Sequence, residues 1–164
     1  MPPVSAKGET MKRALLVCLA LFLVAAPVLA KDDDDIRAVI DKYAAAWGSL
    51  NPDNAAPLYA KDADLVFYDI LPLKYAGWDA YAAGTKPHFA QFESLKFAPK
   101  GDVKITRRGD VAWTTTTYDL TVKPKADEAM TLEVRQTLIL EKKGKDWKIV
   151  HEHFSTPLQM HDHD

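Results

Sequence analysis

Apolar side chains at Ile36, Val39, Ile40, Tyr43 and Trp47 recur at steps of three and four, the spacing of one helix face. Asp32 to Asp35 stand just before them and supply N-cap oxygens and negative charge where the helix dipole is positive. The spacing predicts a helix ending near Ser49. Asn51-Pro52-Asp53 opens a second, short helix through Tyr59. Leu65-Val66-Phe67-Tyr68 reads as a strand ending in Asp69. Pro72 and Gly77 punctuate an extended link, and Trp78 to about Phe92 reads as a third helix, weakened by Gly84 and Pro87.

The period then changes from helical to alternating. Leu95 to Arg108, Val111 to Lys123, Met130 to Lys143 and Trp147 to Pro157 read as four long strands. Arg108-Gly109-Asp110 and Lys143-Gly144-Lys145-Asp146 are tight hairpin turns, and Pro124 to Ala129 is a longer polar connection. Helices followed by an antiparallel meander is an α+β arrangement. Four such strands cannot cover themselves. The three N-terminal helices must close one face of a curved antiparallel sheet, leaving a cone with a mouth that can hold a small molecule.

Alternate strand residues point to opposite faces, so parity selects the inner rows. Leu132, Val134, Gln136, Leu138 and Leu140 form one, and Ala112, Thr114, Thr116, Tyr118, Leu120 and Val122 its neighbour. In the last strand the inner row is Val150, Glu152 and Phe154, although the alternative row of Trp147, Ile149, His151 and His153 is amphipathic too. Gln136 is an amide in an apolar row; unpartnered burial would cost about 1–3 kcal/mol, so it is either bonded within the protein or faces a ligand. Asp69 shares parity with Leu65 and Phe67 and would point inward at the mouth. Desolvation there would raise its pKa, as a general base requires; the plainer reading is a turn carboxylate capping its own backbone. Tyr43 lies on the apolar stripe of the first helix, where its hydroxyl needs a partner. Trp113 and Trp147, with Ile139 and Ile149, fall on the other face, an apolar patch of the kind that marks an interface.

Ahead of the first helix, Met11-Lys12-Arg13 begins a basic start followed by the uncharged run Ala14 to Ala26 and then Pro27-Val28-Leu29-Ala30. This is the pattern of a signal peptide over residues 11–30, cleaved after Ala30, with residues 1–10 an upstream start-site extension. The domain then occupies 31–158 and a frayed tail 159–164. Export to a periplasm or the exterior is expected, with no membrane anchor after cleavage. The only cysteine, Cys18, lies in that leader, so thiolate chemistry, disulfides and iron–sulfur sites are excluded from the mature chain. Loss of Lys7, Lys12, Arg13 and Glu9 leaves a net charge of −4, which gives no basic face for nucleic acid. His151, His153, His161 and His163 invite a metal reading, since imidazole suits copper and zinc. The tail is short and acidic, and no metal and no cofactor is expected.

The run Lys42-Tyr43-Ala44-Ala45-Ala46-Trp47, then Asn51-Pro52-Asp53, then Leu58-Tyr59-Ala60-Lys61-Asp62-Ala63 resembles the nuclear transport factor 2-like superfamily. The ending Trp147-Lys148-Ile149-Val150-His151-Glu152-His153-Phe154-Ser155, with Arg135-Gln136-Thr137 before it, resembles the SnoaL-like branch. It is similar also to the association domain of calcium/calmodulin-dependent kinase. The resemblance spans Ile36 to Leu158 and implies a cystatin-like roll and a homodimer built through the sheet. The ketosteroid isomerases of this superfamily use a tyrosine on the first helix, an aspartate base after the first strand and a protonated aspartate in the penultimate strand. By that resemblance Tyr43, Asp69 and Gln136 occupy the three catalytic positions. Gln136 departs from the pattern, because an amide donates a hydrogen bond but does not share a proton. The arginine positions of the kinase association domain fall on Tyr118 and Leu138, so capture of a carboxylate there is not supported.

The combined expectation is an exported, dimeric pocket domain for a small apolar or aromatic molecule. Trp47, Phe67, Tyr118, Glu152, His153 and Phe154 join Tyr43 as ligand contacts. Any catalysis would be cofactor-free isomerase, cyclase or lyase chemistry, with Asp69 moving a proton and Tyr43 and Gln136 steadying the enolate. The alternative is a non-catalytic assembly module acting through its outer sheet face.

Overall fold

The computed structural model describes residues 31–158. The start-site extension, the signal peptide with Cys18, and the tail with His161 and His163 lie outside them. The chain divides into two compact units, up to Asp35 and from Ile36 onward. Of the first, residues 31–35 are helical, with Lys31 Nζ 2.6 Å from Asp35. The second unit carries the sheet and the helices packed on it.

Helix α1 continues to residue 48 and buries Ile36, Val39, Ile40, Tyr43, Ala46 and Trp47, the face expected from the spacing. Asn51 caps the short helix α2 (Pro52–Ala55) by accepting from the Asp53 amide at 3.0 Å, and Pro52 sits where a missing N–H does no harm. A single 3₁₀ turn (Ala56–Leu58) then leads to Tyr59, which bridges to Ile149. Strand β1 (Val66–Tyr68) is followed by a two-residue strand β2 (Tyr75–Ala76), in the stretch expected to be a link. Helix α3 (Gly77–Phe89) stops three residues earlier than expected.

Among the described residues the sheet holds seven strands, not four long ones with a short one. The stretch expected to be one strand from Leu95 to Arg108 is two, β3 (Phe92–Pro99) and β4 (Lys104–Arg108). They lie end to end along one edge of β5 (Val111–Pro124), pairing with residues 118–124 and 111–115 of it respectively. Thr116 and Thr117 fall in the gap, where Asp102 stands in for the missing strand. Its carboxylate accepts from the Thr117 amide at 2.9 Å and from the Thr116 and Thr117 hydroxyls at 3.1 and 2.7 Å. Those bonds hold the Asp102 carboxyl below its ordinary pKa.

β5 pairs along its length with β6 (Met130–Lys143), and β6 with β7 (Asp146–Ser155). Both tight hairpins form where expected, with Gly109 and Gly144 at φ 61° and 68°, the left-handed conformation such turns need. The order is β2-β1-β7-β6-β5-β3 with β4 also on β5. β1 runs parallel to β7, so the curved, unclosed sheet is mixed and the antiparallel expectation is corrected at that pair. β1 takes β2 as its antiparallel partner on one side, and on the other it meets β7, far along the chain, in parallel.

A register shift between Ile139 and Leu140 against β7 corrects the outer face as well. Ile139 faces His151 while Leu140 faces Ile149, so Val150 is the extra residue of a bulge. Before it Trp147 and Ile149 point inward and are buried; after it Glu152 and Phe154 do. Both rows of the last strand are thus inner, in turn. The outer apolar patch shrinks to Val111, Trp113, which is 38% exposed, and the half-buried Ile139.

Candidate functional site

Between α1, α3 and the inner face of the sheet lies a cavity of about 360 Å³, within the size range of small-molecule sites. Trp47, Phe89, Phe92, Phe97 and Phe154 supply aromatic walls; Leu120, Val122, Met130 and Leu132 supply the β5–β6 side. The polar groups are few: Asp69, Thr85, His88, Gln91, and the tyrosines Tyr43 and Tyr81. Among the described residues no lysine or arginine lines it. Thr85 spends its hydroxyl hydrogen on backbone carbonyls of its own helix, and the Gln91 amide nitrogen donates to Pro87 O at 3.2 Å.

Asp69 lines this cavity and an adjoining recess formed with Tyr68, Pro72, Leu73 and His153, so it stands at the mouth. It makes a turn contact and is desolvated as well. One oxygen accepts from the Ile70 amide at 2.7 Å, a turn contact, while burial pushes the carboxyl above its ordinary pKa against that bond and the charge of His88.

Glu152 forms the second polar centre, and it is not in the cavity. It is fully buried. One carboxyl oxygen, Oε1, accepts from the Tyr43 hydroxyl and, at 3.3 Å, from Tyr81; the other, Oε2, accepts from Tyr59. Trp47 Nε1 donates to the Tyr59 oxygen at 2.9 Å. Four elements assemble this group. α1 brings Tyr43, the bridge to Ile149 holds Tyr59, α3 brings Tyr81, and the β7 bulge turns Glu152 inward. Burial pushes Glu152 up to about 8, with the three hydroxyls pulling the other way and the Asp69 charge adding to the rise. Burial and the nearby carboxyl together hold all three phenols well above their ordinary values.

Of the residues singled out in the sequence, Tyr43, Trp47, Asp69 and Phe154 line the cavity. Phe67 and Tyr118 do not: Phe67 packs under Tyr59 and Tyr81, and Tyr118 lies behind Phe97 and Phe154. Glu152 is a buried acid behind the wall and not a direct contact. His153 is exposed, on the outer face, and borders only the recess. Gln136 matches neither alternative: it is 2% exposed, its amide has no hydrogen-bond partner among the described residues, and it does not line the cavity. Its cross-strand neighbours on the same face are Thr116 and Phe154. Sequence reasoning missed Tyr59 and Tyr81. Both sit beside aromatic residues where a core role is the default reading; the inward glutamate was the available signal that hydroxyl donors must surround it.

Residues 36–159 match the SnoaL-like domain. No curated protein sequence is similar enough to rank as a relative. Among solved structures, a nuclear transport factor 2-like superfamily protein from Salmonella enterica serovar Typhimurium superposes with a TM-score of 0.74 at 17% identity, covering 82% of this chain and 96% of that one. A candidate scytalone dehydratase from Novosphingobium aromaticivorans gives 0.71 at 13%, covering 81% and 89%. A candidate calcium/calmodulin-dependent kinase II association domain from Xanthomonas campestris gives 0.65 at 21%, covering 76% and 87%. At these identities the likeness is one of fold. With the profile match spanning most of the chain, the protein belongs to the SnoaL-like domain family, on the nuclear transport factor 2-like fold.

Proposed function

We propose that this is an exported SnoaL-like pocket domain that binds a neutral apolar or aromatic molecule and uses Asp69 to move a proton next to a carbonyl. The observation that carries the reading is the apolar cavity with a half-buried carboxyl of raised pKa at its mouth. A base with that environment is matched to abstracting a weakly acidic C–H proton. The absence of lysine and arginine among the described lining residues disfavours anionic ligands, whose charge would be desolvated without a partner.

A thermal-shift screen of neutral bicyclic aromatics should raise Tm, and Leu132→Trp, which fills the cavity, should abolish the shift. In Asp69→Asn the ligands should still bind, while solvent deuterium exchange at the carbon beside a bound ketone slows by about 10²–10⁴-fold. Absence of any ligand response would overturn the reading. Export is part of the proposal and rests on the pattern of residues 11–30; N-terminal sequencing of the mature protein should begin at Lys31. Self-pairing through Val111, Trp113 and Ile139 completes it, although the inward turn of Trp147 and Ile149 leaves the assembly-module alternative a smaller surface than the sequence promised.

A further inference from the structure

A lone exposed leucine means little, since folded surfaces carry many. Several gathered at one end of a sheet, beside the mouth of a cavity, are a different matter. β1 and β7 run parallel, with Tyr68 opposite His153, so the segments that follow them leave the sheet at the same end. The first segment passes through Ile70-Leu71-Pro72-Leu73, a run without charge. Leu71 is 61% exposed and Leu73 90%, and Leu158, just past the end of β7, is 83% exposed. Leu71 also lines the cavity, and both Leu71 and Leu73 line the recess beside it. The apolar lining thus continues past Asp69 onto the surface.

Positive charge borders this tip. Lys74 is exposed at the end of the loop; Arg135, exposed on β6, stands opposite Ser155 and donates to Thr156 O at 3.1 Å. The acid two residues before it on β6, Glu133, is paired with Lys100. Asp69, the acid that opens the loop, lines the cavity mouth and accepts from the Ile70 amide. Leucines protruding from turns, with cations beside them, match acyl chains beneath anionic headgroups. Contact between copies has a different surface available. The apolar patch of Val111 and Trp113 lies toward the other end of the sheet, where β5 begins and β6 finishes.

We propose that the tip formed by Leu71, Leu73 and Leu158, with Lys74 and Arg135 beside it, docks on the surface of an anionic phospholipid bilayer and sets the cavity mouth against it. The docking goes beyond the pocket reading. Its use, passing an apolar ligand between bilayer and cavity without a transit through water, rests on that reading. This is a surface contact: no described helix is long and apolar enough to cross a membrane. A few leucines and two cations give weak, reversible attachment, which suits repeated exchange.

The test places a nitrobenzoxadiazole label on Leu73→Cys, or on Lys145→Cys at the opposite end of β7, in a Cys18→Ser background so that each chain has one labelling site. The label senses the surroundings of its own residue, so attachment through the apolar run 14–26 does not imitate docking. Vesicles of phosphatidylglycerol and phosphatidylcholine in equal parts should blue-shift and brighten the label at 73 and leave the one at 145 unchanged. Leu71→Ser should raise the lipid needed for half the change by about tenfold, and Lys74→Gln by about fivefold. Both positions are exposed, so neither change threatens folding. No response at 73 would overturn the docking and leave the pocket to be judged by its own thermal-shift screen. Equal responses at 73 and 145 would overturn it as non-specific adsorption. A label at 73 that is shielded without lipid, increasingly so with protein concentration, would overturn it in favour of a second copy of this chain.

Discussion

Two buried polar side chains on adjacent strands have met opposite fates. Glu152 has three hydroxyl donors, whereas among the described residues the Gln136 amide, also buried, has none, and Thr114 Oγ1 is unpartnered too. An amide left unpaired in the interior costs about 1–3 kcal/mol, while an apolar replacement of the same length costs little. Gln136→Met should therefore raise the unfolding free energy by about 1–2 kcal/mol, measured by chemical denaturation. A loss of stability would mean that the amide is engaged by a bound water or ligand. The placement of Gln136 was legible in the sequence, since parity put it on the inner row. Its environment was not, because whether an inward side chain meets the cavity or packed neighbours depends on how distant segments meet over the sheet, as Phe154, Phe97 and Tyr43 do at the cavity wall.

At the scale of elements, α3 shows a helix-weakening residue kept for space. Gly84 looks like a defect in a helix, and Ala there would gain about 1 kcal/mol of propensity. A Cβ at that position would come 2.2 Å from the Tyr75 ring, which stacks on Tyr81 at 4.8 Å between centroids. Tyr81 in turn carries a hydrogen bond to Glu152. Overpacking costs of about 1–3 kcal/mol outweigh the propensity gain, so Gly84→Ala should lower Tm in a thermal melt. The β3–β4 break has the same lesson. By sequence Asp102 falls inside the strand expected from Leu95 to Arg108, and only the sheet places it where β5 lacks a neighbour.

For the molecule as a whole, the largest pH lever is the buried carboxyl. Glu152 titrates at 4.5 in its ordinary state and at about 8 when folded. Between those values the folded protein holds a proton that the unfolded chain releases, so stability falls as pH rises across the window and levels off above it. Denaturation at intervals from pH 5 to pH 9 should show this decline, at up to about 1.4 kcal/mol per pH unit. Asp69 contributes in the same direction, its folded value also being raised. Glu152→Gln should remove most of the slope, and a slope equal to that of the wild type would refute the assignment of the lever to Glu152.

Local patterning was enough to specify the helix that buries Tyr43 and Trp47, both tight hairpins, the inner rows of β5 and β6, and the family. Each depends on spacing along one segment or on turn chemistry at one glycine, and such signals are local. The convergence of Tyr59, Tyr81 and Tyr43 on Glu152 came from the packing of distant segments. That packing also decided that a bulge at Val150 turns both Trp147 and Glu152 inward, and that β1 joins β7 in parallel. Parity is lost wherever a strand takes one extra residue, and a buried charge chooses its partners across the core, at separations no sequence period encodes.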